Sequence, residues 1–276
     1  MKNYLNIMKF NLGICFFFLT FSSMAQTKVE TIINGQNGKP IPYASIGIAG
    51  EGVGSVSSSE GKVILYIPSQ NMKDSLTISH VNYQKKLVAI KDLTSNITLD
   101  KKVKQLNEVV VESKVFKTVQ IGSTSTAGFL ISGFSNGDLG GEVGSKIKIK
   151  RKSLIEEIGF HVHSNSFDSV RLRINIYDLN RKLPGEKISS EDFILITGKE
   201  AGFFKKKLNK LVLVQEDVIA TLEMVDHFPK HKGSIYFSQT PPYVKRMYYR
   251  ETSFDQVKKY IGGPMSIFIN VKQEQK

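Results

Sequence analysis

Residues 170–177 read VRLRINIY, and this alternation decides the fold of the C-terminal half. Side chains of a β-strand alternate between two faces, so the four aliphatic residues point to a core while the other four, including Arg173 and Tyr177, point to solvent. Similar runs lie at residues 146–150, 158–163, 193–197, 211–214, 218–224, 234–238 and 266–271. About eight strands over about 150 residues predict a large β-sandwich of the jelly-roll type.

Residues 26–100 contain shorter strands and denser turn signals. Asn37-Gly38 and Ser59-Glu60-Gly61 interrupt β-branched runs, and Asn-Gly favours a hairpin because both residues tolerate a positive φ. The runs lie at residues 29–33, 43–48, 63–67, 76–79, 86–90 and 96–99. Short strands at this spacing predict a small β-sandwich.

A lysine-rich joint at residues 101–118 separates the two halves. It contains the apolar cluster Val109–Val111, which we expect to add an edge strand guarded by the surrounding lysines. The sequence therefore predicts an all-β chain with one domain at residues 26–100, this joint, and a second domain at residues 119–276.

Residues 1–25 have the three parts of a secretory signal peptide. Lys2 and Lys9 are followed by an apolar run at residues 12–21, and a small-x-small triplet ends at Ala25, where cleavage is expected. The apolar run is shorter than the roughly 18–20 residues that cross a bilayer. We therefore expect an exported protein in the periplasm, at the outer-membrane periphery or outside the cell, with no transmembrane segment after cleavage.

The charge of the chain restricts its partners. Its 276 residues include 38 Lys and Arg against 25 Asp and Glu, a formal charge of +13, which cleavage after Ala25 would lower by two. This excess predicts an acidic partner. Since export argues against nucleic acid, the candidates are an envelope protein or an anionic glycan or lipid surface. Cys15 lies in the predicted signal peptide, so we expect neither a disulfide nor a thiolate metal site in the mature chain.

The N-terminal half resembles a known family. The resemblance rests on Ile33-Asn34-Gly35, on NGKPIPYASI at residues 37–46, on GSVSSSEG at residues 54–61 and on LTISHVNY at residues 76–83. These motifs are similar to those of the carboxypeptidase-regulatory-like domain common in Bacteroidetes. The resemblance implies a seven-stranded transthyretin/Ig-like sandwich without catalytic residues. The C-terminal half is similar to a domain of unknown function in short exported proteins, through RINIYD at residues 173–178, LPGE at residues 183–186 and YRETS at residues 249–253.

Catalytic and metal-binding patterns are weak. His161 and His163 share one face of a strand, as neighbouring ligands in jelly-roll metal enzymes do. However, the Glu that would follow in such a site is missing, and we expect solvent-facing histidines rather than a metal site. No Gly-x-Ser-x-Gly elbow occurs. We therefore predict no enzyme and no cofactor, with a metal-dependent hydrolase using His161 and His163 as an alternative.

Two segments have the composition of binding surfaces. Lys146, Lys148 and Lys150 would form a cationic stripe, either for contact with envelope anions or to protect an edge strand. The run at residues 243–250 places tyrosines beside arginines, and such side chains concentrate at interfaces and stack on sugars. Its candidate contact residues are Tyr243, Arg246, Tyr248, Tyr249 and Arg250. In the alternative structural interpretation, Tyr248 belongs to a core and Arg250 pairs with Glu251.

Together these patterns predict an exported cell-envelope protein that acts as a non-catalytic binding or structural module. A carbohydrate-binding envelope protein that uses residues 243–250 is a further alternative.

Overall fold

A computed structural model describes residues 26–102, 116–180, 182–242 and 245–274. The predicted signal peptide, the predicted edge strand at Val109–Val111 and Tyr243 lie outside these residues. The described chain contains nineteen β-strands and two single-turn 3₁₀ helices, Ser69–Asn71 and Ile90–Asp92. The all-β prediction is therefore confirmed. None of the helices in this part of the chain has the length and apolar character that crossing a membrane requires.

Seven strands form the N-terminal sandwich. They are β1 (Gln26–Gly35), β2 (Ser45–Ile48), β3 (Val53–Val56), β4 (Lys62–Pro68), β5 (Ser75–Ser79), β6 (Lys86–Ala89) and β7 (Asn96–Leu99). One sheet has the order β4-β1-β7, with β7 parallel to β1, and the other is antiparallel with the order β3-β2-β5-β6. Alternate residues face the shared core, as Val63, Leu65 and Ile67 do on β4. The seven-stranded sandwich implied by the resemblance is confirmed.

Twelve strands form the larger C-terminal sandwich. They are β8 (Phe116–Gly122), β9 (Ile131–Ser135), β10 (Glu142–Ile147), β11 (Ser153–Asn165), β12 (Ser169–Asn180), β13 (Leu183–Thr197), β14 (Gly202–Val214), β15 (Val218–Phe228), β16 (Ser234–Ser238), β17 (Arg246–Arg250), β18 (Lys258–Ile261) and β19 (Ile267–Glu274). One sheet has the order β13-β12-β15-β10-β17-β18. In the other, β11 pairs with β14 along one edge and with β19 and β16 along the opposite edge, while β8 and β9 extend the sheet beyond β19 and β16.

This second sandwich confirms the predicted larger β-sandwich. Each of the eight alternating runs lies in or overlaps a strand, and most of their buried aliphatic residues meet in one core between the two sheets. The structure contains four strands that the sequence does not predict, β8, β9, β17 and β18. They lie in glycine-rich, lysine-rich or tyrosine-rich segments, where the alternation of apolar and polar side chains is hidden.

The second face of residues 170–177 is buried, which corrects the expectation that it points to solvent. Arg173, Asn175 and Tyr177 are 3%, 0% and 6% exposed. The N-terminal sandwich packs on this face, and Arg173 donates hydrogen bonds to the Tyr43 carbonyl and the Ser45 hydroxyl, both at 2.7 Å. Alternation shows that a strand has two unlike faces, but it does not reveal that a second domain covers the polar one.

A loop of the C-terminal domain packs closely on the β2–β3 hairpin. Gly47 and Gly54 lie opposite each other in this hairpin, and a Cβ atom at Gly54 would lie 2.2 Å from the Ser253 carbonyl oxygen. The Gly50 N–H donates a hydrogen bond to the Phe254 carbonyl at 3.0 Å. Because these glycines carry no side chains, the two domains meet backbone to backbone.

Candidate functional site

A row of four charged side chains crosses the domain-facing sheet of the C-terminal sandwich. The register pairs Arg173 on β12 with Glu223 on β15, Glu223 with Glu142 on β10, and Glu142 with Arg250 on β17. We call these four residues the ionic row. Arg173 donates to the two Glu223 oxygens at 2.6 and 3.0 Å, and Arg250 lies 2.5 Å from a Glu142 oxygen. The row therefore holds two adjacent buried carboxylates between two guanidinium groups.

Neutral side chains complete the hydrogen bonding of the ionic row. The Asn175 amide donates to Glu142 at 2.7 Å and to Glu223 at 2.8 Å, so it bridges two carboxylates that would otherwise repel each other. The Tyr177 hydroxyl donates to Glu142 at 2.8 Å, and the Thr221 hydroxyl also donates to this carboxylate. Buried charges are tolerated when they are both paired and hydrogen-bonded, as they are here.

The electrostatics fix the ionisation of this network. Burial by itself raises the pKa of Glu223, but Arg173, Lys187 and Arg250 outweigh it and hold that pKa well below its ordinary value. Burial lowers the pKa of Arg250, but Glu142 outweighs this effect and the resulting pKa is raised. The pKa of Tyr177 is raised by burial and by Glu142. Since all three shifts move titration away from neutral pH, the ionic row acts as a fixed structural clamp rather than a proton relay.

Arg173 also lines a cleft of about 690 Å³ between the two domains, which we call the interdomain cleft. The N-terminal domain contributes Ser79, Gln84, Lys85 and Lys102 to its wall. The C-terminal domain contributes residues of β13 and β14, among them Lys187, Ile188, Ser190, Asp192, Lys210, Leu211 and Leu213. The cleft is within the size range of small-molecule sites, roughly 300–1,000 Å³.

A second concave region lies along β8 and β10. Two cavities of about 440 and 360 Å³ share Ile121 and Lys148 in their walls, and we refer to them together as the basic groove. Seven cationic residues line it, namely Lys117, Lys146, Lys148, Lys150, Arg151, Lys245 and Arg246. Its floor is apolar, with Ile147, Met265 and Ile267 buried beneath these charges.

The charge of the basic groove is mostly uncompensated. Lys146 pairs with Asp217 at 2.7 Å, and burial, which raises the pKa of Asp217, is outweighed by the hydrogen bonds from Lys146 and from the Ile149 N–H. Among the described residues, the other six cations of the groove have no ion-pair partner within 4.0 Å. The groove therefore presents a surplus of positive charge to solvent.

The predicted cationic stripe lies in the basic groove. Ile147 and Ile149 are buried, while Lys146, Lys148 and Lys150 are exposed. The alternative interpretation as a protected edge stays a prediction: β10 lies between β15 and β17 in the sheet, but β17 pairs only with residues 142–144, so among the described residues Lys146 has a strand partner on the β15 side alone. The three lysines point away from the core beside a groove, and Lys148 and Lys150 follow the end of β10.

The structure divides the residues of the predicted tyrosine-arginine surface between two places. Arg246 is exposed in the basic groove, and Tyr249 is half-buried. Tyr248 is only 6% exposed and its hydroxyl donates to the Lys182 carbonyl at 3.0 Å. Arg250 belongs to the ionic row, so its partner is Glu142 and not the neighbouring Glu251, which pairs with Lys258. Tyr243 lies outside the described residues.

The predicted histidine pair lies on β11. The half-buried His161 has its Nδ1 atom 2.9 Å from the Ser238 hydroxyl and its ring against the edge of Phe203. Burial and the neighbouring His163 lower the pKa of His161. His163 is exposed. In the parts of the chain that the structure describes, these histidines do not join any cluster of three His, Cys, Asp or Glu residues that could hold a metal ion.

Sequence reasoning misses Glu142, Glu223 and Lys187. Glu223 carries a usable signal, because it is an acidic residue in the middle of the apolar strand β15, both faces of which are buried. An acid in such a position requires a buried basic partner. Lys187 carries no comparable signal, since its place in the interdomain cleft depends on irregular pairing between β12 and β13.

These features define the class of protein: two β-sandwiches docked through a buried ionic row, with a basic surface on the larger one. Comparison with known families adds to this for the N-terminal sandwich. Residues 31–111 match the family model described as the CarboxypepD_reg-like domain. This domain is a non-catalytic β-sandwich module, and the match supports the resemblance predicted from the motifs. A search of curated proteins found no significant match to the chain.

Two solved structures show low similarity. One contains the cysteine protease and lectin-like domains of a surface layer associated protein of Clostridium difficile, with a TM-score of 0.40 and 10% identity, covering 80% of this chain and 46% of that one. The other is a structure of infectious bursal disease virus Gx strain, with a TM-score of 0.17 and 9% identity, covering 91% of this chain and 64% of that one. The chain thus spans less than two thirds of either structure. Neither similarity supports a functional conclusion.

Proposed function

We propose that the protein is an exported, non-catalytic binding protein of the cell envelope that holds an acidic glycan in the basic groove. The observation that carries this proposal is the set of six cations that line two adjoining cavities and have no ion-pair partner among the described residues. The signal-peptide pattern supports export, and the match to a non-catalytic sandwich module supports a binding role.

The shape of the groove favours an extended polyanion over a flat lipid surface. Lys146, Lys148 and Lys150 alternate with the buried Ile147 and Ile149, so the three lysines share one face of the segment. They stand over a recessed apolar floor of Ile121, Ile147 and Ile267. A carbohydrate chain can lie in such a recess and place its carboxylates against the lysines, whereas lipid headgroups contact protruding surfaces.

A double variant, Lys148→Gln with Lys150→Gln, tests the proposal. With polygalacturonate fragments as the probe, we expect about a 30-fold loss of affinity at low ionic strength, taking about 1 kcal/mol for each cation removed. Affinity of the wild type should fall as salt is added, because the attraction between exposed charges is screened. Isothermal titration calorimetry measures both effects.

The matched control is Lys205→Gln with Lys207→Gln, which removes two exposed lysines spaced in the same way on β14. It should bind the fragments nearly as well as the wild type. Equal losses in the two double variants would show that net charge alone drives binding and would overturn the groove assignment. Tighter binding to anionic vesicles than to the polyuronate would replace the glycan by a lipid surface.

Export predicts a processed N-terminus. Protein expressed with its own leader in a Gram-negative host should begin at Gln26, and intact-mass spectrometry of the periplasmic fraction measures this directly. Accumulation of the full 276-residue chain in the cytoplasm would contradict this part of the proposal.

A further inference from the structure

We infer that the interdomain cleft is a second binding site, which takes a small amphiphilic anion with a phosphate or carboxylate head and an apolar body. The cleft is separate from the basic groove and is lined by both domains. Its ligand would therefore touch the regulatory-like sandwich and the C-terminal sandwich at once.

Irregular strand pairing directs several neighbouring side chains into the cleft. The register between β12 and β13 shifts between the pairs Ile174↔Asp192, Ile176↔Ser189 and Tyr177↔Lys187, so β13 has two extra residues over this length. In a regular strand, neighbours would alternate between faces. Here the consecutive residues 187–190 all line the cleft. Bulges that re-aim side chains are frequent beside binding sites.

The polar side of the cleft is predominantly positive. Lys187 lies 3.7 Å from a Glu223 oxygen, but that carboxylate already accepts hydrogen bonds from Arg173 and Asn175. Within the described residues, Lys85 and Lys102 have no ion-pair partner. Asp192 is the single carboxylate of the described lining, and it is buried with one oxygen accepting the Asn209 N–H at 2.8 Å. Lys85 and Lys102 can therefore contact an anion without giving up an ion pair, while Lys187 shares its charge with Glu223.

Three exposed apolar residues also line the cleft. Ile188, Leu211 and Leu213 are 44%, 50% and 38% exposed, although all three line the same cleft. Isolated exposed aliphatic residues are ordinary, but a group of three beside a cationic wall provides a surface for an apolar body. The two walls together specify an amphiphilic anion rather than a simple inorganic ion.

Octyl phosphate below its micellar concentration is a suitable probe. Two reference compounds test the cationic and the apolar lining separately. Octyl glucoside has the same chain and a neutral head, and inorganic phosphate has no chain. We expect octyl phosphate to bind at least tenfold more tightly than either, because a charge-assisted hydrogen bond and the buried chain add to each other. Calorimetric titration of the full protein gives the three affinities. Equal affinity for octyl phosphate and octyl glucoside would overturn the inference.

Variants from both domains locate the binding. Lys187→Gln, and the double variant Lys85→Gln with Lys102→Gln, should each weaken octyl phosphate binding about tenfold, while Lys148→Gln in the basic groove should leave it unchanged. Because the lysines of the N-terminal domain are exposed, their loss does not threaten folding. Unchanged binding in the double variant would exclude a site shared by the two domains. Loss of octyl phosphate binding with retained polygalacturonate binding separates this site from the glycan groove.

The pH dependence gives a second readout. Burial lowers the pKa of Lys187 to about 8, and neighbouring carboxylates only partly oppose this effect. The charged groups near Lys187 are Glu223 on β15, Glu142 on β10, Arg173 on β12 and Arg250 on β17, and its ammonium lies 5.5 Å from the ring centroid of the titratable Tyr177 on β12. Lys187 therefore loses its charge as pH rises through about 8, whereas an alkyl phosphate, with a second pKa of about 6, is mostly doubly charged at pH 7 and does not lose charge above it. Affinity for octyl phosphate should fall between pH 7 and 9.

Lys187→Arg is the control for this readout, because a guanidinium keeps its charge over this range. The variant should bind octyl phosphate with an affinity that does not change between pH 7 and 9. If the wild type and Lys187→Arg decline equally, Lys187 does not contact the anion, and the assignment of the cationic wall is wrong.

Discussion

Replacement of Arg173 by methionine is expected to lower the free energy of unfolding by about 3–5 kcal/mol, because it leaves a buried carboxylate without its main partner. Glu223 is 0% exposed and faces Glu142 directly across the β10–β15 pair. Without Arg173, the two carboxylates share only Arg250 and Lys187, which lies 3.7 Å from a Glu223 oxygen. The hydrogen bonds of Arg173 to Tyr43 and Ser45, which join the domains, are lost as well. Chemical denaturation measures the total effect.

Two further variants separate the effect of the unpaired charge from the effect of the lost contacts between the domains. Arg246→Met removes an exposed arginine of the basic groove and should change stability by no more than about 0.5 kcal/mol. Arg173→Met combined with Glu223→Gln removes both charges, so that Glu142 and Arg250 balance each other. This double variant should be more stable than Arg173→Met alone. If it is no more stable than Arg173→Met, the contacts of Arg173 with the N-terminal domain, rather than the unpaired carboxylate, account for the loss.

The same ion pair has a predictable pH dependence. The pKa of Glu223 is held below its ordinary value of 4.5, so the stability contributed by its ionised form is fully present above about pH 5 and is lost as pH falls through the depressed pKa. In Arg173→Met, protonation of Glu223 relieves the unpaired charge at a higher pH. The stability difference between wild type and variant should therefore be constant from pH 6 to 7 and shrink towards pH 3.

The strands of the chain could largely be predicted from its sequence, because a period of two in side-chain polarity is local information. Residues 170–177 show both the success and the limit of this reasoning. Their aliphatic residues lie in the core as predicted, but Arg173 and Asn175 are buried on the other face. Burial of Arg173 depends on residues of the N-terminal domain such as Tyr43, which is 130 residues away in the sequence. No local pattern contains this information.

The two candidate sites also differ in how far the sequence predicts them. The stripe of Lys146, Lys148 and Lys150 is visible in the sequence, yet the basic groove also needs Lys117 and Lys245, which β8 and the segment before β17 bring alongside it. The interdomain cleft has no sequence signature, because it exists only when the two sandwiches dock. Acidic residues inside apolar strands, such as Glu223, are the one local hint that a polar interface is buried there.

Substitution of Gly54 by alanine is expected to weaken domain docking and to lower the free energy of unfolding by about 1–3 kcal/mol, the usual cost of overpacking. The new Cβ atom would lie 2.2 Å from the Ser253 carbonyl oxygen and 2.9 Å from the Thr252 hydroxyl, so the loop of the C-terminal domain must move. The sign of the change in unfolding free energy is informative, since alanine in place of glycine within an open strand normally stabilises a protein by roughly 0.5–1 kcal/mol. Urea denaturation should show a separate transition for each sandwich once docking is weakened.

Gly137→Ala is the matched control for this substitution. A Cβ atom at Gly137 would have no neighbour within 4 Å, so the variant should be neutral or slightly stabilised and should unfold like the wild type. Small-angle scattering adds an independent measure, because undocking of the sandwiches in Gly54→Ala would increase the radius of gyration, whereas a local adjustment of the loop at Ser253 would not. An unchanged radius together with unchanged stability would mean that the close approach of the hairpin to this loop does not hold the domains together. The ionic row would then be the main contact that fixes their arrangement.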